Sequence, residues 1–301
     1  MPITVSSAKL VTINTGFRGN FMTGMGPAAA TATYQRIATV IPSTTKENEY
    51  GWLKQIPGIR QWIGDRVVNA MAEDGYKIRN LRWEDTVSVK DEVINDDQYG
   101  IMKPVFEMLG DEVGRFPDAR VYAALKAGLT TKCYDDQYFF DTDHPYITAA
   151  GGTGTQANLI AGSGAPWFLL CTKRPLKPII YQEREPFKFV AMDQPTDPNV
   201  FMKAELLYGV DGRMNVGYGF WQMALCCTDT LNDTNVKALR LLGQKLLKDH
   251  GAPLNMKYDL FVGGNDHMDK ANELFNVPTL TGGAANPLYK AFDVLIDSNL
   301  D

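Results

Sequence analysis

A long apolar stripe at helical spacing, residues 96–129, constrains the fold more than any other feature. Its apolar positions are Ile101, Val105, Met108, Leu109, Val113, Phe116, Val121, Ala124, Leu125 and Leu129. This spacing predicts one amphipathic helix that begins near Asp96 or Asp97, both favourable N-terminal caps. Pro104 suits the first turn, whereas Pro117 is expected to kink or restart the helix because it removes an internal hydrogen bond. A helix of about thirty residues exceeds the usual ~11–12 and predicts a thin, extended molecule.

Composition places the chain among ordinary folded proteins and argues against several functional classes. It has 301 residues, 45% hydrophobic and 22% charged, with a net charge of −5. The length allows two or three domains, and the net acidity argues against a dedicated nucleic-acid binder. No apolar run approaches the roughly 20 residues of a membrane span, and the first sixteen residues lack a signal-peptide pattern. The four cysteines form no C-x-x-C pair, so we expect buried, reduced thiols.

The first 46 residues differ in composition from the rest of the chain. Their only charges are Lys9, Arg18, Arg36 and Lys46, and they contain no acidic residue. The segment is rich in threonine, alanine and glycine, so it buries too little apolar surface to fold alone. We therefore predict an extended arm that rests on a partner surface, with a plain disordered tail as the alternative.

Residues 47–92 predict a projecting two-stranded loop. Tyr76–Arg79 and Trp83–Val89 have strand composition, and residues 66–73 before them have helical spacing. Two strands alone are marginal in water, so the projection needs support from another surface.

Aromatic residues alternate with charged residues in this loop. The pattern fits base stacking or a protein interface, and the neighbouring acids favour the protein interface. The candidate interface residues of the arm and loop are Lys9, Arg18, Arg36, Trp52 and Trp62.

Short strand-like runs separated by prolines follow the long helix. They are Trp167–Cys171, Pro178–Tyr181, Phe187–Val190, Phe201–Leu207 and Asn215–Cys226. Asp211-Gly212 is a turn signal, and residues 149–164 have the composition of a surface loop. From Asn232 onward, a helix–strand–helix–strand order predicts a compact α/β lobe, residues 233–301.

An acidic and aromatic block, residues 133–145, is the strongest candidate for chemistry. Its possible metal ligands are Asp135, Asp136, Asp141, Asp143 and His144, and all of them except Asp136 form the set that a metal-dependent enzyme would use. A metal-dependent hydrolase is therefore one hypothesis, although the Gly-x5-Glu continuation of a calcium loop is missing. No G-x-S-x-G or H-E-x-x-H motif is present either. A tight turn with aspartates bonded to backbone N–H groups is favoured, so we expect no catalytic residue, metal or cofactor.

Six sequence blocks occur in the order found in one family. They are Tyr50–Leu53 with Trp62–Gly64, Asn95–Ile101, Phe139–Pro145, Pro166–Leu170, Lys177–Arg184 and Tyr208–Gln222. Together these blocks make most of the chain resemble the major head proteins of Mu-like tailed bacteriophages.

The resemblance implies an α+β fold, the HK97-like major capsid fold. Its parts would be an N-terminal arm (1–46), an extended loop or E-loop (47–92), a peripheral domain with the long spine helix and β-strands (93–232), and an axial domain with a C-terminal strand (233–301). One departure stands out. Many proteins of this fold place the axial segment before the last peripheral strands, whereas here it follows Trp221.

The resemblance also implies a structural protein of the virion rather than an enzyme. Such a protein is expected to self-assemble into hexamers and pentamers of an icosahedral head around double-stranded DNA, which it touches weakly and without specificity. The expected partners are a separate scaffolding protein, a portal and a decoration protein, with assembly in the bacterial cytoplasm and no membrane. Besides the hydrolase, a cellular nanocompartment shell of the same fold is the alternative.

Overall fold

The computed structural model describes residues 7–54, 75–96, 100–280 and 282–301. The chain begins with helix α1, Ser7–Thr31, and continues through a short 3-10 turn, Tyr34–Arg36, into strand β1, Ala38–Pro42. The prediction that this segment is extended is therefore wrong for residues 7–31. The predicted helix at residues 66–73 lies outside the described residues.

The long predicted helix is confirmed but starts later than expected. Helix α2, Asp91–Asp96, is separate, and the spine helix α3 runs over Lys103–Ala127 with Pro104 in its first turn. Helix α3 continues through Pro117, so the expected restart there is wrong. The proline removes only one internal hydrogen bond, and packing along the rest of the helix outweighs that loss.

The remaining elements follow in chain order. The other strands are β2 Glu47–Tyr50, β3 Tyr76–Arg79, β4 Leu81–Lys90, β5 His144–Ile147, β6 Thr153–Gln156, β7 Leu159–Ile160, β8 Trp167–Leu170, β9 Ile179–Met192, β10 Glu205–Tyr218, β11 Ala224–Cys227, β12 Leu260–Gly263 and β13 Asp293–Ile296. The other helices are α4 Pro198–Lys203, α5 Asp233–Gln244 and α6 Met268–Asn276. The hairpin of β5 and β6 extends into the stretch predicted to be a surface loop.

One sheet has the order β1-β9-β10-β4 and is built on the long antiparallel pair β9 and β10. The turn predicted at Asp211-Gly212 is wrong, because β10 runs through it with a register shift between Asp211 and Arg213. Pro186 lies on β9 opposite this shift and has no N–H to donate, so a bulge replaces the regular ladder. The run predicted as a strand at Phe201–Leu207 divides between α4 and β10.

A second sheet has the order β13-β12-β8-β11-β7, and every residue of its central strand β8 is buried. It contains the two C-terminal strands together with three strands from earlier in the chain. The sheet therefore joins residues on both sides of the boundary expected at 232. Helix α5 begins as predicted, with the side chain of Asn232 accepting a hydrogen bond from the backbone N–H of Asn235.

Helix α1 faces the body of the chain, chiefly α3, through a stripe that alternates spacings of four and three. The stripe consists of Leu10, Asn14, Phe17, Phe21, Gly24 and Ala28. Leu10 and Phe21 enter a buried cluster with Phe106 of α3 and Tyr208 of β10. The stripe changes from large to small residues along the helix, so it does not form a regular pattern of large apolar residues that would predict a helix from the sequence. No helix in the described ranges is both long and apolar enough to span a bilayer.

Candidate functional site

His144 lies at the centre of the acidic and aromatic block and is fully buried. Its Nδ1 is 2.7 Å from a carboxylate oxygen of Asp135, and its Nε2 is 3.3 Å from the side-chain oxygen of Asn158. The imidazole stacks on Trp221, with ring centroids 3.9 Å apart and planes 9° apart. The contacts join the block to the region between β10 and β11.

Asn158 connects this block to the sheet. Its amide nitrogen donates to the carbonyl oxygens of Phe139, Trp221 and Ala224 at 2.8, 3.3 and 3.1 Å. Its side-chain oxygen accepts from the backbone N–H of Asp141 at 2.9 Å. The amide orientation is thereby fixed, and every hydrogen-bonding group of this fully buried side chain has a partner.

This orientation also constrains the ring of His144. The oxygen of Asn158 is an acceptor, so the facing Nε2 donates, and Nδ1 faces the Asp135 carboxylate. Polar side chains thus hold both ring nitrogens, while the ring face lies on Trp221.

Asp135 is the anionic partner in the cluster. Burial raises the pKa of its carboxyl, but His144 together with hydrogen bonds from Cys133 and the backbone N–H of Gln137 lowers the pKa below its ordinary value. The Cys133 thiol donates to the same carboxylate at 3.0 Å, and burial first, then the charge of Asp135, raises the pKa of that thiol. The thiol therefore stays protonated and acts as a hydrogen-bond donor.

The cluster is better explained as a structural tie than as a metal centre. Cys133, Asp135 and His144 offer ligand atoms within 4.8 Å of one another. A metal would need the thiolate, which burial disfavours, and would displace the hydrogen bonds among the three groups. The other two predicted ligands lie elsewhere: Asp141 accepts from the backbone N–H groups of Tyr138 and Thr142, and Asp143 is exposed. The predicted turn is confirmed, and the four predicted ligands do not converge.

The Asp135 pair predicts a specific acid sensitivity. Because the folded pKa of Asp135 is lowered, its stabilising effect is present above the unfolded pKa of about 4 and is lost as pH falls through the folded value. Asp135→Asn is expected to cost about 2 kcal/mol at pH 7, since it removes the carboxylate to which both buried His144 and Cys133 bond. Urea unfolding between pH 3 and pH 7 checks this, with Asp293→Asn, an exposed carboxylate, as the control. An unchanged acid dependence in Asp135→Asn would contradict it.

A second buried network holds the base of the projecting loop. The Tyr50 hydroxyl donates to the side-chain oxygen of Gln182 at 2.7 Å. The Gln182 amide nitrogen donates to the carbonyl of Ile78 at 3.0 Å and to Asn80 at 2.8 Å, and Asn80 donates to the Ser43 hydroxyl at 2.9 Å. The network joins the β2–β3 pair, hereafter the stem, to β9 and so fixes where the loop leaves the body.

The contact between α1 and α3 is closest at three glycines. A Cβ atom on Gly24 would collide with the carbonyl oxygen of Glu107, and one on Gly110 with that of Phe21. A Cβ on Gly114 would lie 2.6 Å from the Cβ of Ala28. We call this contact the glycine seam. The pair Gly110 and Gly114, four residues apart on one helix, is the sequence signal that could have revealed it.

Aromatic and polar contacts hold the two ends of α1. Phe17 stacks on Phe106 with ring centroids 4.0 Å apart, and Asn14 donates to Asp193 at 2.8 Å. Beyond the C-terminal end, the backbone N–H of Tyr34 donates to Asp118 of α3 at 2.6 Å. Helix α1 is thus fastened along its whole length to the body of the chain.

The predicted interface residues are distributed over several elements. Arg18 lies exposed on α1, and Arg36 lies exposed in the 3-10 turn. The backbone of Trp52 belongs to a short 3-10 helix, Gly51–Lys54. The side chains of Lys9 and Trp52, and the whole of Trp62, lie outside the described residues. Their role at an interface stays a prediction. Asn158 was missed, because a lone asparagine in a glycine-rich stretch carries no signal of burial.

Comparison with known proteins identifies the family to which this architecture belongs. The family description "Mu-like prophage major head subunit gpT" matches residues 10–300. The chain belongs to this family. It is 44% identical over 228 residues to the Mu-like prophage FluMu major head subunit of Haemophilus influenzae, which covers 73% of each chain. It is 36% identical over 259 residues to the major capsid protein of Escherichia phage Mu, which covers 84% of each chain.

Solved structures agree with the family. The chain is similar to the one in the procapsid of bacteriophage JBD30, with a TM-score of 0.83, 42% identity, and coverage of 98% of this chain and 100% of that chain. The JBD30 capsid decorated with minor capsid protein trimers gives a TM-score of 0.76 and 32% identity, covering 91% and 93%. The fold is therefore the HK97-like major capsid fold, as the sequence predicted.

The family also decides between the alternative functions. The chain is a major capsid protein of a Mu-like phage head, a structural component of the virion and not an enzyme. The hydrolase hypothesis is wrong, and the contacts of the His144 cluster hold the block after the spine helix against the rest of the chain. The nanocompartment alternative is also set aside, since the matching family consists of phage head subunits.

Proposed function

We propose that the chain self-assembles into hexamers and pentamers of an icosahedral head that encloses double-stranded DNA. The observation that carries the proposal is the 42% identity, with a TM-score of 0.83, to the subunit of the JBD30 procapsid over almost its whole length. The net charge of −5 supports only weak, non-specific contact with the packaged DNA. Assembly takes place in the bacterial cytoplasm.

The parts of the subunit are assigned in the same proposal. Residues 1–46 act as the N-terminal arm, residues 47–92 as the extended loop, residues 93–232 as the peripheral domain and residues 233–301 as the axial domain. The stem of β2 and β3, with 25 residues between its two strands, supports the loop assignment. The axial domain in this proposal includes the earlier strands β7, β8 and β11, because they form one sheet with β12 and β13.

Partners complete the proposal. A separate scaffolding protein guides assembly, and a portal occupies one vertex. The minor capsid protein trimers on the JBD30 capsid support a decoration protein on the outer surface of this head as well. Lys9, Arg18, Arg36, Trp52 and Trp62 lie at contacts between subunits.

Electron microscopy of the expressed chain tests the proposal. Shells or ring-shaped capsomers are expected, alone or with the scaffolding protein of the same phage. Analytical ultracentrifugation of the same sample gives the size of the assemblies. A stable monomer at all concentrations and with scaffolding protein present would overturn the proposal.

A further inference from the structure

The loop after β12 and the turn after β13 meet at one edge of the second sheet. Strands β12 and β13 are parallel neighbours with α6 between them in the chain, so their C-terminal ends lie side by side. Gly264 and Asn265 follow β12, and a 3-10 turn, Ser298–Leu300, follows β13. The backbone N–H of Asp297 donates to the carbonyl of Gly263 at 3.0 Å, which keeps the two segments in contact.

The side chain of Asp301 joins these two segments. One carboxylate oxygen accepts from the backbone N–H of Asn265 and the other from its side-chain amide, both at 2.6 Å. A Cβ atom on Gly264 would collide with the first of these oxygens. The glycine therefore leaves open the space in which the carboxylate sits, and both carboxylate oxygens are bonded by a single residue.

Asp301 is also bonded to the spine helix. The ammonium group of Lys126, in the last turn of α3, donates to the backbone oxygen of Asp301. The neighbouring Leu300 is buried in the larger hydrophobic cluster, and the turn that contains it packs on α3. One residue thus contacts both the loop between β12 and α6 and the end of the spine helix.

The contacts of Asp301 can open without unfolding the turn. Asp301 and Asn265 are exposed, so water can replace each of their hydrogen bonds at little cost. Burial chiefly, and in smaller part the nearby negative charge of Asp297, raises the pKa of the Asp118 carboxyl on α3. The turn is therefore attracted to α3 at one point and repelled at another, while Leu300 stays in the core.

We propose that Asp301 is a releasable latch between the loop after β12 and the spine helix. The closed latch holds the second sheet and α3 in one relative orientation. When the carboxylate leaves Asn265, the sheet and the helix can move relative to each other about the buried Leu300. Subunits of uniform shape build uniform shells, so the closed latch favours a single shell size. This consequence rests on the proposed assembly, whereas the latch itself does not.

Hydrogen exchange over residues 263–268, followed by mass spectrometry, measures the latch. Asp301→Ala removes the carboxylate, and Gly264→Ala displaces it while every bonded group remains in the chain. Each is expected to speed exchange there about tenfold, because the backbone N–H of Asn265 loses its acceptor. Gly152→Ala is the control, since a Cβ there would lie 3.5 Å from Thr148, an ordinary contact. Unchanged exchange in both Asp301→Ala and Gly264→Ala would overturn the latch.

Lys126→Met distinguishes a latch from a local cap on the loop. Lys126 lies on α3 and bonds to Asp301, so its loss should speed exchange over residues 263–268 about threefold if Asp301 links the two elements. The same substitution should add nothing in a chain that already carries Asp301→Ala. Lys245→Met, at an exposed position after α5, is the control. Unchanged exchange in Lys126→Met, or a further increase in the double variant, would overturn the proposal.

Electron microscopy of the same variants tests the consequence for the shell. The unsubstituted chain and Gly152→Ala are expected to give shells of one diameter, whereas Asp301→Ala and Gly264→Ala should lose this uniformity. Uniform shells from a variant whose exchange shows an open latch would overturn the role of the latch in shell size. Absence of shells from the unsubstituted chain would overturn the proposed assembly, and the exchange measurements would still decide the latch.

Discussion

Gly24→Ala is expected to destabilise the subunit by about 2 kcal/mol or more, although it adds only a methyl group to a helix. The new Cβ would collide with the carbonyl oxygen of Glu107, a backbone atom that cannot move without shifting α3. Helix α1 must therefore move away from α3 along the glycine seam. Urea unfolding of assembled capsomers measures the loss, and hydrogen exchange over residues 7–31 should show faster exchange.

The same helix offers a matched control. Gly19 also lies in α1, and nothing lies within 4 Å of a Cβ built on it. Gly19→Ala should therefore stabilise the subunit by about 0.5–1 kcal/mol, the usual gain from removing a helical glycine. One substitution type thus gives effects of opposite sign on one helix. Equal effects at the two positions would mean that the seam is not tightly packed.

Asn158→Ala is expected to cost about 4 kcal/mol, among the largest effects of any single substitution in the chain. It leaves the buried carbonyl oxygens of Phe139 and Ala224, the backbone N–H of Asp141 and Nε2 of His144 without their partner, whereas the carbonyl of Trp221 still accepts from the backbone N–H of Ala224. Each orphaned group costs about 1–3 kcal/mol before relaxation. The block that follows the spine helix should detach from the sheet. Urea unfolding followed by tryptophan fluorescence measures this, since Trp221 lies against His144.

Asn299→Ala is the control for this substitution. Asn299 is exposed and bonds only to nearby Asp297, so its loss should change stability by no more than ~0.5 kcal/mol. If Asn158→Ala is as mild as Asn299→Ala, water has replaced the lost hydrogen bonds and the block is not held by Asn158.

Regular periodicity made part of the fold predictable. The apolar stripe of α3, the alternating pattern of β4 and the cap at Asn232 are local sequence patterns. In each case the folded structure has the helix, strand or helix start that the pattern predicts. The block around His144 was also recognised as a turn rather than a ligand set. In each of these cases a pattern of residues close together in the sequence carries the signal, whatever distant partners the element later packs against.

The errors come from interactions between distant residues. Helix α1 contains glycines and Pro27, which oppose a helix, and it forms because α3 offers a matching seam more than eighty residues later. The bulge near Asp211 depends on Pro186 in the neighbouring strand. Asn158 draws its backbone partners from two separate stretches, residues 139–141 and 221–224. Such pairings leave no local pattern, so a single sequence does not reveal them.

The central position of β8 has a consequence for how the subunit is made. Both neighbours of β8, β11 and β12, come later in the chain, and the wholly apolar β8 has no sheet to enter until they have been synthesised. A truncated chain would leave this strand exposed, and exposed apolar strands aggregate. We expect nascent or shortened chains to be removed before they reach a growing head. Only chains that extend beyond β12 can therefore become building blocks, so the order of the strands selects against shorter, truncated subunits.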